Sequence, residues 1–202
     1  MSITLFIIIA TALVSITAFQ HSMAFERMKF NAYEIRRKQQ FYRFFSYGLL
    51  HIDYMHLFVN MFVLFSFGSN VEALFTHHFG DPGRLFFIIL YAGGLIISVI
   101  PAYLKHINHP HYNAVGASGA VSAILFASIL MYPQGSVMFI FFPVPIPAFI
   151  FGILYLLYSA YMAKRGSDNV GHDVHFWGAI FGVIFPALLD PSLVSRFFEY
   201  VF

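Results

Sequence analysis

Long apolar stretches most limit what this chain can fold into. Six of them, each close to the roughly 20 residues that a helix needs to cross a bilayer, occupy residues 2–20, 52–75, 84–104, 115–132, 147–163 and 174–190. Each should be helical, because an open strand edge in lipid would leave backbone groups without hydrogen bonds. We therefore predict an all-α fold, a polytopic membrane helix bundle with six transmembrane helices, forming a single membrane domain over residues 1–202.

The composition supports a membrane protein and excludes several other classes. Of the 202 residues, 59% are hydrophobic and 10% are charged, whereas soluble domains carry about 25% charged residues. A net charge of +2 without a basic run interleaved with aromatic residues argues against a nucleic-acid partner. The absence of cysteine excludes disulfides and thiolate metal sites. The N-terminus has no basic region of the kind that begins a signal peptide, so we expect the first helix to be retained.

The links between the apolar stretches are unequal. The first, residues 21–51, holds most of the charge and is rich in Phe and Tyr, which predicts a long loop at the headgroup region of the bilayer. Three prolines in Phe142–Pro147 exclude a continuous helix there. Alternate links carry nine and two Lys and Arg residues, so charge alone predicts that the first link faces the cytoplasm.

Polar side chains inside membrane spans are costly and often functional, and the second stretch begins with three of them. His56 and Asn60 are four residues apart and share a helix face, and His51 lies before them. One interpretation is that each donates to a backbone carbonyl and joins helices. The other is that they form part of a polar site.

A second polar group lies at the start of the fourth stretch, in the sequence Gly116-Ala117-Ser118-Gly119. It could be a patch of small residues that lets helices pack closely. It could also present Ser118 as a nucleophile at a helix start, with Gly116 relaxing the backbone. Backbone N–H groups at such a helix end are well placed to bind a developing oxyanion.

The sixth stretch aligns His175, Gly178 and Gly182 on one stripe. The two glycines allow another helix to approach closely, and the fourth stretch is its natural partner. The alternative is a packing motif with an incidental histidine. Glu72, near the far end of the second stretch, is interpreted as a structural residue.

These groups should meet, because alternating spans start on the same membrane face. A serine hydroxyl needs a base, and His175 can accept its proton near neutral pH. His56, Asn60 and the Ser118 N–H could then donate to the oxyanion of a tetrahedral intermediate. The sequence thus contains the parts that acyl transfer requires.

In this combination the motifs resemble those of the rhomboid family of intramembrane serine proteases. The matching segments are His51 to Asn60, Gly116 to Gly119 and His175 to Gly182. The resemblance covers the second to sixth stretches in order. It implies a Ser118–His175 dyad without a catalytic aspartate, an oxyanion hole of His56, Asn60 and the Ser118 amide, and a packing role for Glu72.

The resemblance also implies a setting and a substrate class. Family members cut single-span membrane proteins near the membrane surface, and six spans are similar to the minimal bacterial form, so we expect a bacterial plasma-membrane location. We predict no cofactor and no bound metal. The family places the first loop outside the cell, against the charge count, and we favour the family topology.

Two positions depart from the family pattern. Tyr42-Arg43 stands where the family's first loop often has Trp-Arg, nine residues before His51. Ser122 occupies a position where some relatives carry an aromatic residue stacked on the catalytic histidine, so we expect that stacking to be absent.

Two other functions remain open. The chain could be an inactive, rhomboid-like protein that holds membrane clients, although Ser118 and His175 are intact. It could be a metal transporter or metalloprotease that uses its ten histidines, although it has no His-Glu-x-x-His motif. The sequence leaves the substrate's identity and the oligomeric state undetermined.

Overall fold

Helices dominate the computed structural model, which describes residues 2–139, 142–166 and 170–202. The described helices are α1 (Ile3–Gln20), α2 (Ser22–Met28), α3 (Ala32–Lys38), α4 (Arg43–Ser46), a 3-10 turn (Tyr47–Leu49), α5 (Tyr54–Phe79), α6 (Gly83–His106), α7 (Ser118–Met131), α8 (Ala148–Arg165), α9 (His172–Leu189) and α10 (Ser192–Val201). Strands β1 (Ser136–Phe139) and β2 (Phe142–Pro147) pair antiparallel between α7 and α8. Each predicted apolar stretch coincides with one helix of 14–26 residues, and the prolines of the predicted non-helical segment lie in β2.

Four of these helices, α1, α5, α6 and α9, are long and apolar enough to cross a membrane. Helix α7 has 14 residues, which is short of the roughly 20 that a crossing needs. Helix α8 has 18 residues and ends in Lys164 and Arg165. The prediction of an all-α membrane bundle is confirmed, and the count of six crossings stays a prediction.

Helix α7 lies at the centre of the bundle, with every residue from 119 to 127 buried. Helix α9 packs against it backbone to backbone. A Cβ atom at Gly178 would fall on the carbonyl oxygen of Gly119, and one at Gly182 would fall on that of Ala123. The two glycines, one helical turn apart on the same stripe, therefore let α9 approach the first half of α7 as closely as backbones can.

Helix α1 has the inverse polarity of a soluble amphipathic helix. Its buried face carries Thr4, Thr11 and Ser15, each with no exposed surface, while Phe6 and Leu13 are 58% and 63% exposed. In lipid this arrangement is stable, because apolar side chains can face hydrocarbon and polar ones need partners inside the protein. The exposed apolar face and the buried polar face of α1 are thus those expected of a helix in a bilayer.

Glu72 of α5 holds the N-terminal end of α1. Its carboxylate accepts hydrogen bonds from the backbone N–H groups of Ile3 and Thr4, at 2.9 and 3.0 Å, and from the Thr4 hydroxyl at 2.9 Å. The first N–H groups of a helix have no partner within it, and the positive end of the helix dipole favours a carboxylate. Glu72 therefore completes from another helix the cap that Ser2 begins, since the Ser2 hydroxyl accepts the Leu5 N–H at 3.1 Å.

A second polar contact ties the other half of α1 to the loop before α5. The Ser15 hydroxyl donates to the carbonyl of Leu49 at 2.7 Å, so it must accept from Nδ1–H of His51, 3.0 Å away. His51 is neutral in this tautomer, and its Nε2 faces the backbone N–H of Ala117 at 3.5 Å. Burial, and then the neighbouring His56, lower the pKa of His51 to about 3, while Asp53 opposes the shift.

The first loop folds as short helices that pack on the segment leading to α7. Arg43 is buried and donates to the backbone carbonyls of Glu26 and Lys29, at 3.0 and 2.6 Å. Phe30 exchanges both backbone hydrogen bonds with Ala114, at 3.0 and 3.1 Å. The loop thus fixes the chain just before Gly116 rather than lying apart from the bundle.

Helix α10 was not predicted from the sequence. One side of the helix faces the bundle, where Leu193 is buried and Phe197 packs against a cluster that includes Phe126 and Ala179, whereas Phe198 and Tyr200 are exposed. Polar residues such as Arg196 and Glu199 are exposed. This pattern is that of a helix half-buried on the bundle.

We expect Glu72→Ala to lower the free energy of unfolding by about 1.5–3 kcal/mol, because it removes hydrogen bonds to an ionised group and leaves one buried and one partly buried N–H group unpaired. Thermal unfolding in detergent micelles, followed by circular dichroism, measures the change. Glu199→Ala, which removes an exposed carboxylate, is the control. An unfolding temperature for Glu72→Ala equal to that of the control would contradict this role.

Stability should also depend on pH through His51. Between the ordinary histidine pKa of 6.5 and the folded value of about 3, the unfolded chain binds a proton that the folded chain does not. The contribution is therefore fully present above about pH 6.5 and is lost on acidification through this window, by at most about 1.4 kcal/mol per pH unit. Unfolding temperatures measured from pH 4 to 8 should fall less steeply in His51→Gln, and equal slopes would refute the assignment.

Candidate active site

Ser118 is the first residue of α7, and its side chain is half-buried. Ala117 precedes it at the helix cap and supplies no side-chain hydrogen bond to the helix end. The first intrahelical bond runs from the N–H of Val121 to the carbonyl of Ala117, so the amides of the first turn have no partner within the helix. A hydroxyl and free backbone donors thus lie together at one helix end.

Gly116 shapes the approach to this helix end. Its φ of 120° is in a region that other residues rarely adopt, and its N–H donates to the carbonyl of Tyr47 at 3.0 Å. A Cβ at this position would lie 3.0 Å from Nε2 of His56 and 3.9 Å from Oγ of Ser118. Glycine is therefore needed for both conformation and space, and the His56 ring and the Ser118 hydroxyl both lie near it.

His56 lies in the first turn of α5, which Asp53 caps by accepting the His56 N–H at 2.7 Å. The backbone N–H of Ile52 points at Nδ1 of His56 from 3.5 Å. This contact favours the tautomer with its proton on Nε2, the nitrogen beside Gly116. The imidazole thus offers a donor on the side where Ser118 lies.

Asn60 lies one turn further along α5 and is buried. Its Nδ2 donates to the carbonyl of His56 at 2.9 Å. One amide proton is therefore used within the helix, and the second remains for another acceptor.

His175 lies in the first turn of α9, which packs directly beside the start of α7. Gly119, the residue after Ser118, lies against Val174, the residue before His175: a Cβ on Gly119 would be 3.0 Å from Cγ1 of Val174. Within the described residues, Ser118 and His175 form no hydrogen bond with each other, and no side-chain hydrogen bond holds either elsewhere. Nucleophile–base hydrogen bonds are often long in the absence of substrate.

A residue that sequence reasoning missed contributes an aromatic ring beside His175. Ser122, one turn after Ser118, shares a hydrogen bond of 2.7 Å with the hydroxyl of Tyr155 on α8. The Tyr155 and His175 rings have centroids 6.4 Å apart and planes at 27°. The aromatic ring that is missing at position 122 is thus supplied by another helix. The sequence feature that could have indicated Tyr155 is a tyrosine within an apolar stretch, because its hydroxyl needs a hydrogen-bond partner there.

The other predicted site residues lie away from Ser118 or support it indirectly. His51 contacts the N–H of Ala117 and joins α1 to the loop before α7. Glu72 binds the N-terminal end of α1. Within residues 2–139, 142–166 and 170–202, no group of three or more His, Asp or Glu side chains is placed to hold a metal ion.

Comparison with known proteins finds relatives with similar sequences over 66% of this chain. It is 27% identical to RHOMBOID-like protein 12, mitochondrial, of Arabidopsis thaliana over 142 residues and 27% identical to Presenilin-associated rhomboid-like protein, mitochondrial, of Homo sapiens over 143 residues. It is 29% identical to Presenilin-associated rhomboid-like protein A, mitochondrial, of Danio rerio. The matched part spans 42%, 34% and 33% of those proteins' lengths.

A family model described as the Rhomboid domain matches residues 38–192. This range runs from the first loop through α9 and includes every helix that contributes to the site around Ser118. The chain belongs to the rhomboid family.

Proposed function

We propose that this integral membrane protein is an intramembrane serine endopeptidase in which Ser118 is the nucleophile and His175 the general base. The observation that carries the proposal is the contact of Gly119 with Val174 and Gly178. Gly119 follows Ser118, Val174 precedes His175 and Gly178 lies one turn after His175, so this contact supports a meeting of the two side chains at the start of the α7–α9 interface. Membership of a family that generally consists of serine proteases supports the same activity.

The reaction follows the general scheme of acyl transfer. The Ser118 Oγ attacks the scissile carbonyl carbon as its proton passes to His175, and the imidazolium then protonates the leaving amine. Water, deprotonated by the same imidazole, hydrolyses the ester on Ser118 and releases the second product. Proton transfer needs the two side chains within hydrogen-bond distance, and among the described residues no other side-chain hydrogen bond holds either of them away.

The developing oxyanion requires donors that are in place before the reaction. The candidates are the Ser118 N–H at the free helix end, Nε2–H of His56 beside Gly116, and the second amide proton of Asn60. All three are neutral donors. His56 is the best placed of the side chains, since its Nε2 and the Ser118 Oγ lie 3.0 and 3.9 Å from the same Cβ position at Gly116.

The substrate class that we propose is a single-span membrane protein. A helix in lipid protects its carbonyls by hydrogen bonding, so a substrate must unwind locally before Ser118 can attack it. A bacterial plasma membrane remains our proposed location, although the relatives compared above carry mitochondrial names.

Ser118→Ala and His175→Ala should each lower kcat for a tagged single-span substrate by about 10⁴-fold or more, because each removes a member of a unit that acts together. Cleavage is measured in detergent micelles and in liposomes by gel analysis of the two fragments. Ser128→Ala, on the same helix but distant from its start, is the matched control and should cleave like the wild type.

A fluorophosphonate reagent separates an active enzyme from an inactive client-binding protein. It should label the wild-type chain and fail to label Ser118→Ala. Retained cleavage by a properly folded Ser118→Ala variant would refute the proposed function, as would wild-type protein that binds substrates but neither cuts them nor reacts with the reagent.

The oxyanion donors should differ in importance. His56→Ala should lower kcat by about 10²–10³-fold, the usual cost of losing one such donor. Asn60→Ala should cost less, because one of its amide protons is already bound to the His56 carbonyl. His77→Ala, an exposed histidine at the other end of α5, is the control. A larger loss for Asn60→Ala than for His56→Ala would reverse this ranking.

A further inference from the structure

We propose that Tyr155 is a positioning residue for His175 and that the Ser122 hydroxyl holds it in place. The inference rests on the proposed function, since it concerns the orientation of the general base. It assigns to α8 a part in catalysis that no motif of the sequence indicates.

The Tyr155 side chain is fixed at both ends. Its hydroxyl shares a hydrogen bond of 2.7 Å with Ser122, which is 3% exposed. Its ring contacts two others, with centroids 5.6 Å from Phe126 of α7 and 5.8 Å from Phe151 of α8. A ring held by these contacts and by its hydroxyl has few alternative rotamers, so it can serve as a fixed surface for a neighbour.

That neighbour is His175. The two rings face each other at 27° with centroids 6.4 Å apart, within the range of about 4.5–7 Å in which aromatic pairs attract. His172 approaches the His175 ring from another direction, edge-on at 6.0 Å. Because no hydrogen bond orients the His175 imidazole within the described part of the chain, these ring contacts limit its rotation.

A general base normally needs a third group that orients it. Within the described residues no carboxylate is hydrogen-bonded to His175, and Asp173, the nearest acidic residue in sequence, accepts the backbone N–H of Val174 at 2.9 Å. Tyr155 fills this role by contact. Ser122 lies four residues after Ser118 on α7, so the nucleophile and the anchor of the base's support belong to one helix.

The test compares variants of the full-length protein with a single-span substrate, reading kcat and KM separately. Tyr155→Leu removes the ring, and we expect kcat to fall about tenfold or more with KM unchanged, since a misplaced base slows chemistry rather than binding. Tyr155→Phe and Ser122→Ala each remove only the hydrogen bond and should lower kcat less. Their double variant should be no slower than the slower single variant, because both remove the same interaction.

Tyr161→Leu is the matched control, an exposed tyrosine on the same helix that should cleave like the wild type. The rate of fluorophosphonate labelling of Ser118 should follow kcat across the series. If Tyr155→Leu does not fold, the test relies on Tyr155→Phe and Ser122→Ala, because these variants preserve the packing. Wild-type kcat in all variants, a change confined to KM, or additive losses in the double variant would each overturn the inference. If the wild type cleaves the substrate and Ser118→Ala does not, the proposed function holds whatever the Tyr155 and Ser122 variants show.

Discussion

The backbone contact between α7 and α9 is the constraint on which the rest of the structure depends. Gly178 and Gly182 have no side chain, so the carbonyls of Gly119 and Ala123 occupy the space where Cβ atoms would be. Such packing is favourable in lipid, where apolar side chains gain nothing by leaving the solvent and close van der Waals contact must drive association. It also fixes the axial register of the two helices. A shift of one residue would place a side chain against a carbonyl, so the starts of both helices are held at the same height.

The short length of α7 explains why the loop before it needs so many fixed contacts. Its 14 residues span about 21 Å, less than a hydrocarbon core of about 30 Å, so a crossing at α7 would leave at least one of its ends within the thickness of the bilayer. Irregular backbone at such a depth must be satisfied by protein. The carbonyl of Tyr47 accepts the N–H of Gly116, Phe30 pairs with Ala114, and His51 faces the N–H of Ala117. The first loop therefore takes the place of water around the segment that leads to Ser118.

Features that depend on local sequence patterns were predicted better than contacts between distant parts of the chain. Apolar length located the long helices, and the glycine stripe of α9 identified the face that packs on α7. The sequence did not predict the hydrogen-bond partners of the polar groups, because these partners are distant along the chain. Ser15 lies 36 residues from His51, and the N-terminus of α1 lies about 70 residues from Glu72. The pattern of polar and apolar residues in α10 could have predicted a helix, but it lies outside the long apolar stretches. For Asn60, the shared helix face with His56 was predicted, but not that its amide donates to the carbonyl of that same residue.

The polar contacts near Ser118 share a property that follows from their surroundings. The pairs formed by Ser15 with His51, Ser122 with Tyr155 and Tyr47 with the Leu95 carbonyl are all hydrogen bonds between neutral groups. Ionising such a site would cost several kcal/mol per charge unless an ideally placed counterion repaid it. A carboxylate beside His175 would have to meet that cost in every folded molecule, whereas the ring contact that we propose would orient the same imidazole without a charge. For the dyad that we propose, aromatic packing in a membrane interior is thus the less costly way to hold a base.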